Sequence, residues 1–284
     1  MTIQKHFILV LSYLVTLLII SVAQAKEFHL PNTHIVSIND TQLARQYELL
    51  ITLPDGYNKN AKKPYPVVYY TDAPMHVSLL SSASNFILNE TILVGISWQT
   101  NTTGALKKRG VSASRVRDYS INESSNAARQ AKYQYGQAST HLAFIRNTVF
   151  QYIEKNYAAD PSNRTYFGFS LGGLFGAYIL TAHPDTFKNY ILGSPALRGD
   201  IPLLTKLSNN HTHLNANVFI SYGALESKLA DHVNEFIDVL QKRNDNSLKL
   251  QTAVIDAAGH SDSFPMVGVR SIMWLSSLTD IKTH

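Results

Sequence analysis

Tyr166-Phe167-Gly168-Phe169-Ser170-Leu171-Gly172-Gly173-Leu174-Phe175-Gly176 is the stretch that decides the fold of this 284-residue chain. An apolar, aromatic run enters it, a serine flanked by glycines sits at its centre, and a small-residue helical pattern leaves it. Gly168-Phe169-Ser170-Leu171-Gly172 fits the G-x-S-x-G turn from strand to helix, a bend so tight that the serine backbone is strained and its neighbours must be nearly free of side chain. Such a bend pushes the Ser170 hydroxyl into a pocket. Gly173 and Gly176 let the following helix lie close on a sheet, and the Leu171 N–H falls at that helix's positive N-terminus, where an oxyanion is stabilised.

Outward from the bend, short apolar strands alternate with helical stretches. His34 to Ile38 and Gln46 to Leu53 read as an opening hairpin around Asn39-Asp40, closed by Pro54-Asp55-Gly56-Tyr57. Tyr65 to Thr71 and Thr91 to Trp98 are β-branched and aromatic runs that suit strands buried on both faces, the first ending at Asp72-Ala73-Pro74. Leu142, Phe144, Ile145, Val149, Ile153 and Tyr157 form the apolar stripe of a helix over Thr140 to Tyr157, which feeds a strand over Arg164 to Phe169. Beyond the bend, the helix stops near Ala182 because Pro184 cannot continue it. Tyr190 to Leu192, Val218 to Tyr222 and Leu250 to Ile255 supply three more strands. Leu229, Val233, Phe236, Ile237 and Leu240 mark one helix face, and Ser263 to Leu278 a closing helix. The alternation predicts an α/β fold with a mostly parallel sheet, an antiparallel N-terminal edge and helices on both faces, whose ligands bind beyond the strands' carboxyl ends.

Between Gln99 and Gln137 the pattern gives way to a polar stretch longer than an ordinary strand-to-helix connection. Lys107, Lys108, Arg109, Arg115, Arg117, Arg129 and Lys132 there stand against only Asp118 and Glu123, so the basic excess of the chain is concentrated in this segment. It reads either as a solvated loop or as a rim that attracts an anionic substrate.

The first residues read as an export signal. Lys5 and His6 precede the apolar run Phe7 to Val22 and the A-x-A site Ala23-Gln24-Ala25, so residues 1–25 are expected to be a cleaved signal peptide and residues 26–284 a single domain, periplasmic or secreted. The alternative is an uncleaved anchor. No later stretch suits a membrane span. There is no cysteine, which removes disulfides, a thiol nucleophile, thiolate metal sites and a lipoprotein anchor. The formal net charge of +5 is too small to argue for nucleic acid.

A serine hydroxyl near neutral pH needs a base within hydrogen-bond reach and usually a carboxylate to orient that base. In the fold that carries the G-x-S-x-G bend, the partners follow in the order serine, acid, histidine. His260 lies just past the last strand, in Ala257-Ala258-Gly259-His260-Ser261, and is the expected base. His183, His211, His213 and His232 fall at a helix end, in a polar loop or within a helix. Glu226, reached from the Val218 strand through Gly223-Ala224-Leu225, is the favoured acid; Asp231, Asp256 or a Ser-His dyad without an acid stay open.

These residues carry a family resemblance. The chain resembles the bacterial putative-esterase branch of the α/β-hydrolases, which includes siderophore esterases acting on enterobactin- and bacillibactin-type trilactones. The matching features are Leu53-Pro54-Asp55-Gly56-Tyr57, Val67 to Asp72, Leu93-Val94-Gly95-Ile96, Arg115-Val116-Arg117-Asp118-Tyr119, the bend itself, Gly223-Ala224-Leu225-Glu226 and Gly259-His260. The resemblance implies Ser170 as nucleophile, His260 as base, Glu226 as acid, and an oxyanion hole completed by a second backbone donor at Ala73, where relatives often carry Asp-Gly. Alanine adopts positive φ reluctantly, so Ala73 is the weak half of that hole.

The expected chemistry is acyl transfer on a small-molecule ester, with no metal or organic cofactor, and with Arg115 and Arg117 as candidate contacts to an anionic substrate. An acyltransferase of the same fold, or a non-catalytic binding protein on this scaffold, are the other readings.

Overall fold

The computed structural model describes residues 25–280. The chain divides into two compact units, Met1–Leu30 and Pro31–His284. In the first, residues 25–30 form neither helix nor strand, and the expected signal peptide lies, apart from Ala25, outside the described residues. The elements described below all belong to the second unit.

Eight strands make one sheet: β1 (Thr33–Asp40), β2 (Arg45–Thr52), β3 (Tyr65–Tyr70), β4 (Ile92–Ile96), β5 (Ala159–Phe169), β6 (Asn189–Gly193), β7 (Asn217–Gly223) and β8 (Lys249–Ile255). Their spatial order is β1-β2-β4-β3-β5-β6-β7-β8. β1 and β2 pair antiparallel, as do β2 and β4, and every later pair is parallel. The expected antiparallel edge and parallel centre are both present.

Two apolar faces explain why the central strands read as unbroken hydrophobic runs. Side chains alternate along a strand, so a sheet covered on both sides needs apolar residues at every position. Tyr166, Tyr190, Leu192, Val218 and Ile220 join the main core with Phe175, Ile179, Phe236 and Leu240 from the Leu171–Ala182 and Ser227–Lys242 helices. Their neighbours in sequence face the other way: Phe219 packs on Trp274 at 5.4 Å, and Phe167 meets Phe264, both from the His260–Asp280 helix.

Three features depart from the expected elements. A helix, Ala73–Ile87, starts directly after β3, where Asp72-Ala73-Pro74 reads as a stop; proline is compatible with a first helical turn because the N–H it lacks has no intrahelical acceptor there. The Gln99–Gln137 stretch is not a plain loop but holds three short helices, Gly104–Lys107, Ser114–Tyr119 and Ala127–Tyr133. The helix expected over Thr140 to Tyr157 runs from Ala138 to Asn156 with a π-helical stretch at Ile145–Val149.

At the bend, Ser170 has φ 58° and ψ −116° and caps the Leu171–Ala182 helix. The flanking glycines are dictated by space. A Cβ on Gly168 would lie 2.2 Å from Gly172 O, and one on Gly172 would lie 2.5 Å from Thr71 Oγ1. Three main-chain bonds hold the turn: Ser170 N–H to Gly193 O, and Leu174 and Ala196 N–H to Ser170 O.

Candidate active site

The carboxyl ends of β5, β7 and β8 bring Ser170, Glu226 and His260 into one hydrogen-bonded row. His260 Nε2 lies 2.9 Å from Ser170 Oγ, and His260 Nδ1 lies 2.5 Å from Glu226 Oε1. Because Nδ1 faces a carboxylate it carries the proton, which leaves Nε2 free to accept from the serine hydroxyl. The imidazole is 44% exposed, whereas the Glu226 side chain is 4% exposed. One end of the row is therefore open to a ligand and the other is sealed. Asp231 and Asp256, the competing acids, are exposed, and neither makes a hydrogen bond with His260 among the described residues.

Burying a carboxylate requires hydrogen bonds to its second oxygen. Glu226 Oε2 receives Ser194 Oγ–H and the Gly223 N–H, each at 2.7 Å. Ser194 is fully buried, has a left-handed backbone with φ 37°, and follows β6 directly. This residue escaped the sequence reading. Its available signal was positional: it stands first beyond a strand's carboxyl end, beside the strand that leads to Glu226. Beneath the imidazole, Phe169 lies 5.1 Å from the His260 ring, Phe264 packs on Phe169, and His76 stacks on Phe264 at 4.4 Å. Burial pushes the His76 pKa down, and its Nδ1 lies 3.0 Å from Thr71 O, so the neutral ring donates to that carbonyl.

Two helix starts lie side by side at this edge. Tyr70 of β3 is in register with Phe167 of β5, so the chain turns into helix at Ala73 beside the point where it does so at Leu171. Leu171, as the first residue of its helix, has an N–H with no intrahelical acceptor. Ala73 is likewise first in its helix and fully buried; Pro74 has no N–H, and the Met75 and His76 N–H groups both reach Asp72 O. The backbone strain expected at Ala73 falls one residue earlier. Asp72 takes the left-handed conformation, φ 56° and ψ 38°, and Ala73 needs none.

What holds Asp72 there is a clamp of charge and hydrogen bonds. Arg115 binds it bidentately, Nε to Oδ1 and Nη2 to Oδ2, both at 2.8 Å, and Trp98 Nε1–H reaches Oδ1 at 2.6 Å. Burial alone would lower the Arg115 pKa, but the Asp72 carboxylate outweighs it and the net shift is upward. Arg115 thus sits beside the candidate oxyanion position with its fork turned onto Asp72 rather than outward, its side chain 21% exposed. Arg117 is not on the rim at all. Its side chain is 3% exposed, and its guanidinium is bound by Asp118 at 2.7 and 3.1 Å and by Gln99 at 2.8 Å. Helical spacing explains the difference: two residues apart on the Ser114–Tyr119 helix, the two arginines point in different directions.

A serine hydroxyl, an imidazole and a buried carboxylate in hydrogen-bond contact, next to two backbone N–H groups at helix N-termini, form an arrangement whose geometry suits acyl transfer.

Comparison with known proteins bears on the chain as a whole. A family model described as "Putative esterase" matches residues 41–284. The ferri-bacillibactin esterase BesA of Bacillus subtilis (strain 168) is 24% identical over 268 residues, covering 86% of this chain and 90% of that protein. Among solved structures, the BES protein from Bacillus cereus superposes with a TM-score of 0.76 at 21% identity, covering 88% of this chain and 98% of the other. The siderophore hydrolase EstA from Aspergillus nidulans does so with a TM-score of 0.73 at 18% identity, covering 90% and 99%. These likenesses place the fold with the α/β-hydrolases.

Proposed function

The chain belongs to the "Putative esterase" family, and from that membership we propose that it is a serine carboxylic-ester hydrolase working through an acyl-enzyme on Ser170. The observation that carries this reading is the His260 imidazole, held between Ser170 Oγ and the buried Glu226 carboxylate.

In the proposed reaction, His260 Nε2 takes the Ser170 Oγ proton as the hydroxyl attacks the ester carbonyl. Glu226 Oε1, bonded to Nδ1–H, stabilises the imidazolium that forms. The Leu171 and Ala73 N–H groups receive the developing oxyanion. Collapse of the tetrahedral species expels the alcohol, which leaves with the proton from Nε2. Water then repeats the sequence, giving its proton to Nε2, and the acid is released from Ser170.

The substrate class we propose is a siderophore-type or other anionic ester. Two observations support it: the relatives are named as a ferri-bacillibactin esterase and a siderophore hydrolase, and the positive charge of this chain is gathered in the Gln99–Gln137 segment, whose Arg115 packs against Asp72 next to the site. Export, read from residues 1–25, would place the enzyme in the periplasm or outside the cell. Among the described residues no helix is long and apolar enough to cross a membrane.

The test is turnover of p-nitrophenyl esters and of ferric and iron-free trilactones by the purified protein and by Ser170→Ala. The proposal expects hydrolysis by the serine form only, with at least one trilactone preferred over simple esters. Equal turnover by both proteins would remove Ser170 from the mechanism, and activity confined to neutral esters would remove the siderophore assignment.

A further inference from the structure

A cavity of about 480 Å³ lies between the start of β2, the residues after β4, and the Ser114–Tyr119 and Ala127–Tyr133 helices. Its wall includes Arg45, Arg117 and Lys132, together with Gln99, Thr103 and Gln134, and no acidic side chain lines it. Ser170, His260, Glu226, Asp72 and Arg115 are not part of the wall, so this recess is separate from the Ser170–His260–Glu226 site.

The charges behind the wall do not balance. Arg45 and Arg117, 13% and 3% exposed, converge on one carboxylate, Asp118, with Arg117 Nε at 2.7 Å and Arg45 Nη1 at 3.5 Å from the same Oδ1. Tyr47 Oη–H donates to the other oxygen at 3.2 Å. Asp40 faces Arg45 across the β1–β2 register, but its Oδ1 is turned to the Gln42 and Leu43 N–H groups. Arg45 Nη2 donates to the neutral Gln137 Oε1, and Lys132 Nζ lies 5.3 Å from the Tyr133 ring centroid. Among the described residues, two guanidiniums and an ammonium therefore have one contacting carboxylate between them, with the buried Asp40 opposite Arg45 as the next nearest in register. Two largely buried guanidiniums sharing one carboxylate beside a half-buried ammonium make a costly arrangement, and an anion seated in the cavity relieves that cost.

We propose that this cavity is an oxoanion-binding site for a carboxylate, sulfate or phosphate group, distinct from the Ser170 site. Arg45 and Lys132 supply the charge for such a group, because Arg117 already uses Nε and Nη2 on Asp118 and Gln99, and the Gln134 amide and Thr103 hydroxyl add neutral donors. The volume falls within the range of small-molecule pockets, so the anion is either free or the end of a larger ester.

The test is thermal denaturation of the full chain titrated with sodium phosphate and, at matched ionic strength, with sodium chloride. Wild type is compared with Lys132→Gln, with Arg45→Gln, and with Lys59→Gln as a remote exposed control. Phosphate is expected to raise the melting temperature saturably and chloride is not. The half-saturating concentration should rise about tenfold in Lys132→Gln and in Arg45→Gln and stay unchanged in Lys59→Gln. Steady-state rates then separate the two sources. Competitive inhibition by phosphate confined to an anionic ester makes the substrate's own anionic group the occupant, whereas no inhibition of either a neutral or an anionic ester makes it a free oxoanion. Equal responses to phosphate and chloride, or one midpoint shared by all four proteins, overturn the proposal. Melting does not involve Ser170, so failure of the esterase reading would leave this result interpretable.

Discussion

Replacing Glu226 by glutamine is a demanding test of the row of side chains, because the surroundings of that carboxylate admit acceptors only. Oε1 faces His260 Nδ1–H at 2.5 Å, and Oε2 faces two donors, Ser194 Oγ–H and the Gly223 N–H, each at 2.7 Å. A glutamine has one oxygen and one NH₂ for these two positions. With its oxygen toward His260, the NH₂ meets the Gly223 N–H donor to donor; with its oxygen toward Gly223, the NH₂ meets Nδ1 and forces the imidazole into the tautomer that has Nε2 protonated. The second arrangement breaks no main-chain contact and is the one expected. A histidine whose Nε2 already carries a proton cannot accept one from Ser170, and such a tautomer error lowers kcat by about 10⁴-fold in a related triad. The expected fall in kcat/KM for Glu226→Gln is about 10³- to 10⁴-fold, or about 4–5.5 kcal/mol of lost transition-state stabilisation, with KM little changed. The assay is p-nitrophenyl ester hydrolysis at pH 8, with circular dichroism to show that the variant is folded. A folded Glu226→Gln protein within threefold of wild type would refute the reasoning and leave His260 and Ser170 as a dyad.

Three further outcomes follow from other contacts. Ser194→Ala removes one of the two donors to Glu226 Oε2, so kcat should fall about 3- to 10-fold with KM little changed; lost stability with an unchanged kcat would make Ser194 merely structural. Arg115→Met frees Asp72 from its bidentate partner at the start of the Ala73–Ile87 helix, so kcat/KM should drop about 10- to 100-fold for neutral and anionic esters alike; a loss confined to anionic esters would instead make Arg115 the substrate's counter-ion. His141 is buried among Tyr47, Tyr119, Phe144 and Phe175, with both ring nitrogens unpartnered among the described residues, and burial depresses its pKa. A depressed folded-state pKa means that the unfolded chain takes up the proton first, so stability is full above about pH 6.5 and falls as the pH drops below it. His141→Phe should flatten that slope and raise the melting temperature by about 2–4 °C at pH 7, as read by thermal melts from pH 5 to 8; an unchanged slope would assign the acid sensitivity elsewhere.

The sheet was legible because its strands are short, apolar on both faces and bounded by turn residues, as Val67 to Tyr70 and Ile92 to Ile96 show. The positions of Ser170, Glu226 and His260 just past strand ends were legible for the same reason. The Ala73–Ile87 helix was not, because Pro74 and the serines at 78, 81, 82 and 84 weaken its helical signal, while its stability comes from packing against the closing His260–Asp280 helix. The roles of the two arginines were also beyond reach. Charge counting along Gln99–Gln137 treats Arg115 and Arg117 as equivalent, and only the fold shows that one clamps Asp72 while the other is buried on Asp118. Ser194 and Trp98 share that difficulty, since each acts through a partner distant in sequence, Glu226 and Asp72 respectively.

The central claim is that Ser170 Oγ becomes the covalent attachment point of the acyl group. Peptide mass mapping after reaction with a fluorophosphonate tests it most directly, using wild type, Ser170→Ala and His260→Ala. One adduct per wild-type molecule, on the peptide carrying Ser170, with none on Ser170→Ala and greatly slowed labelling of His260→Ala, is the predicted result. An adduct on another residue, or equal labelling of all three proteins, would contradict it.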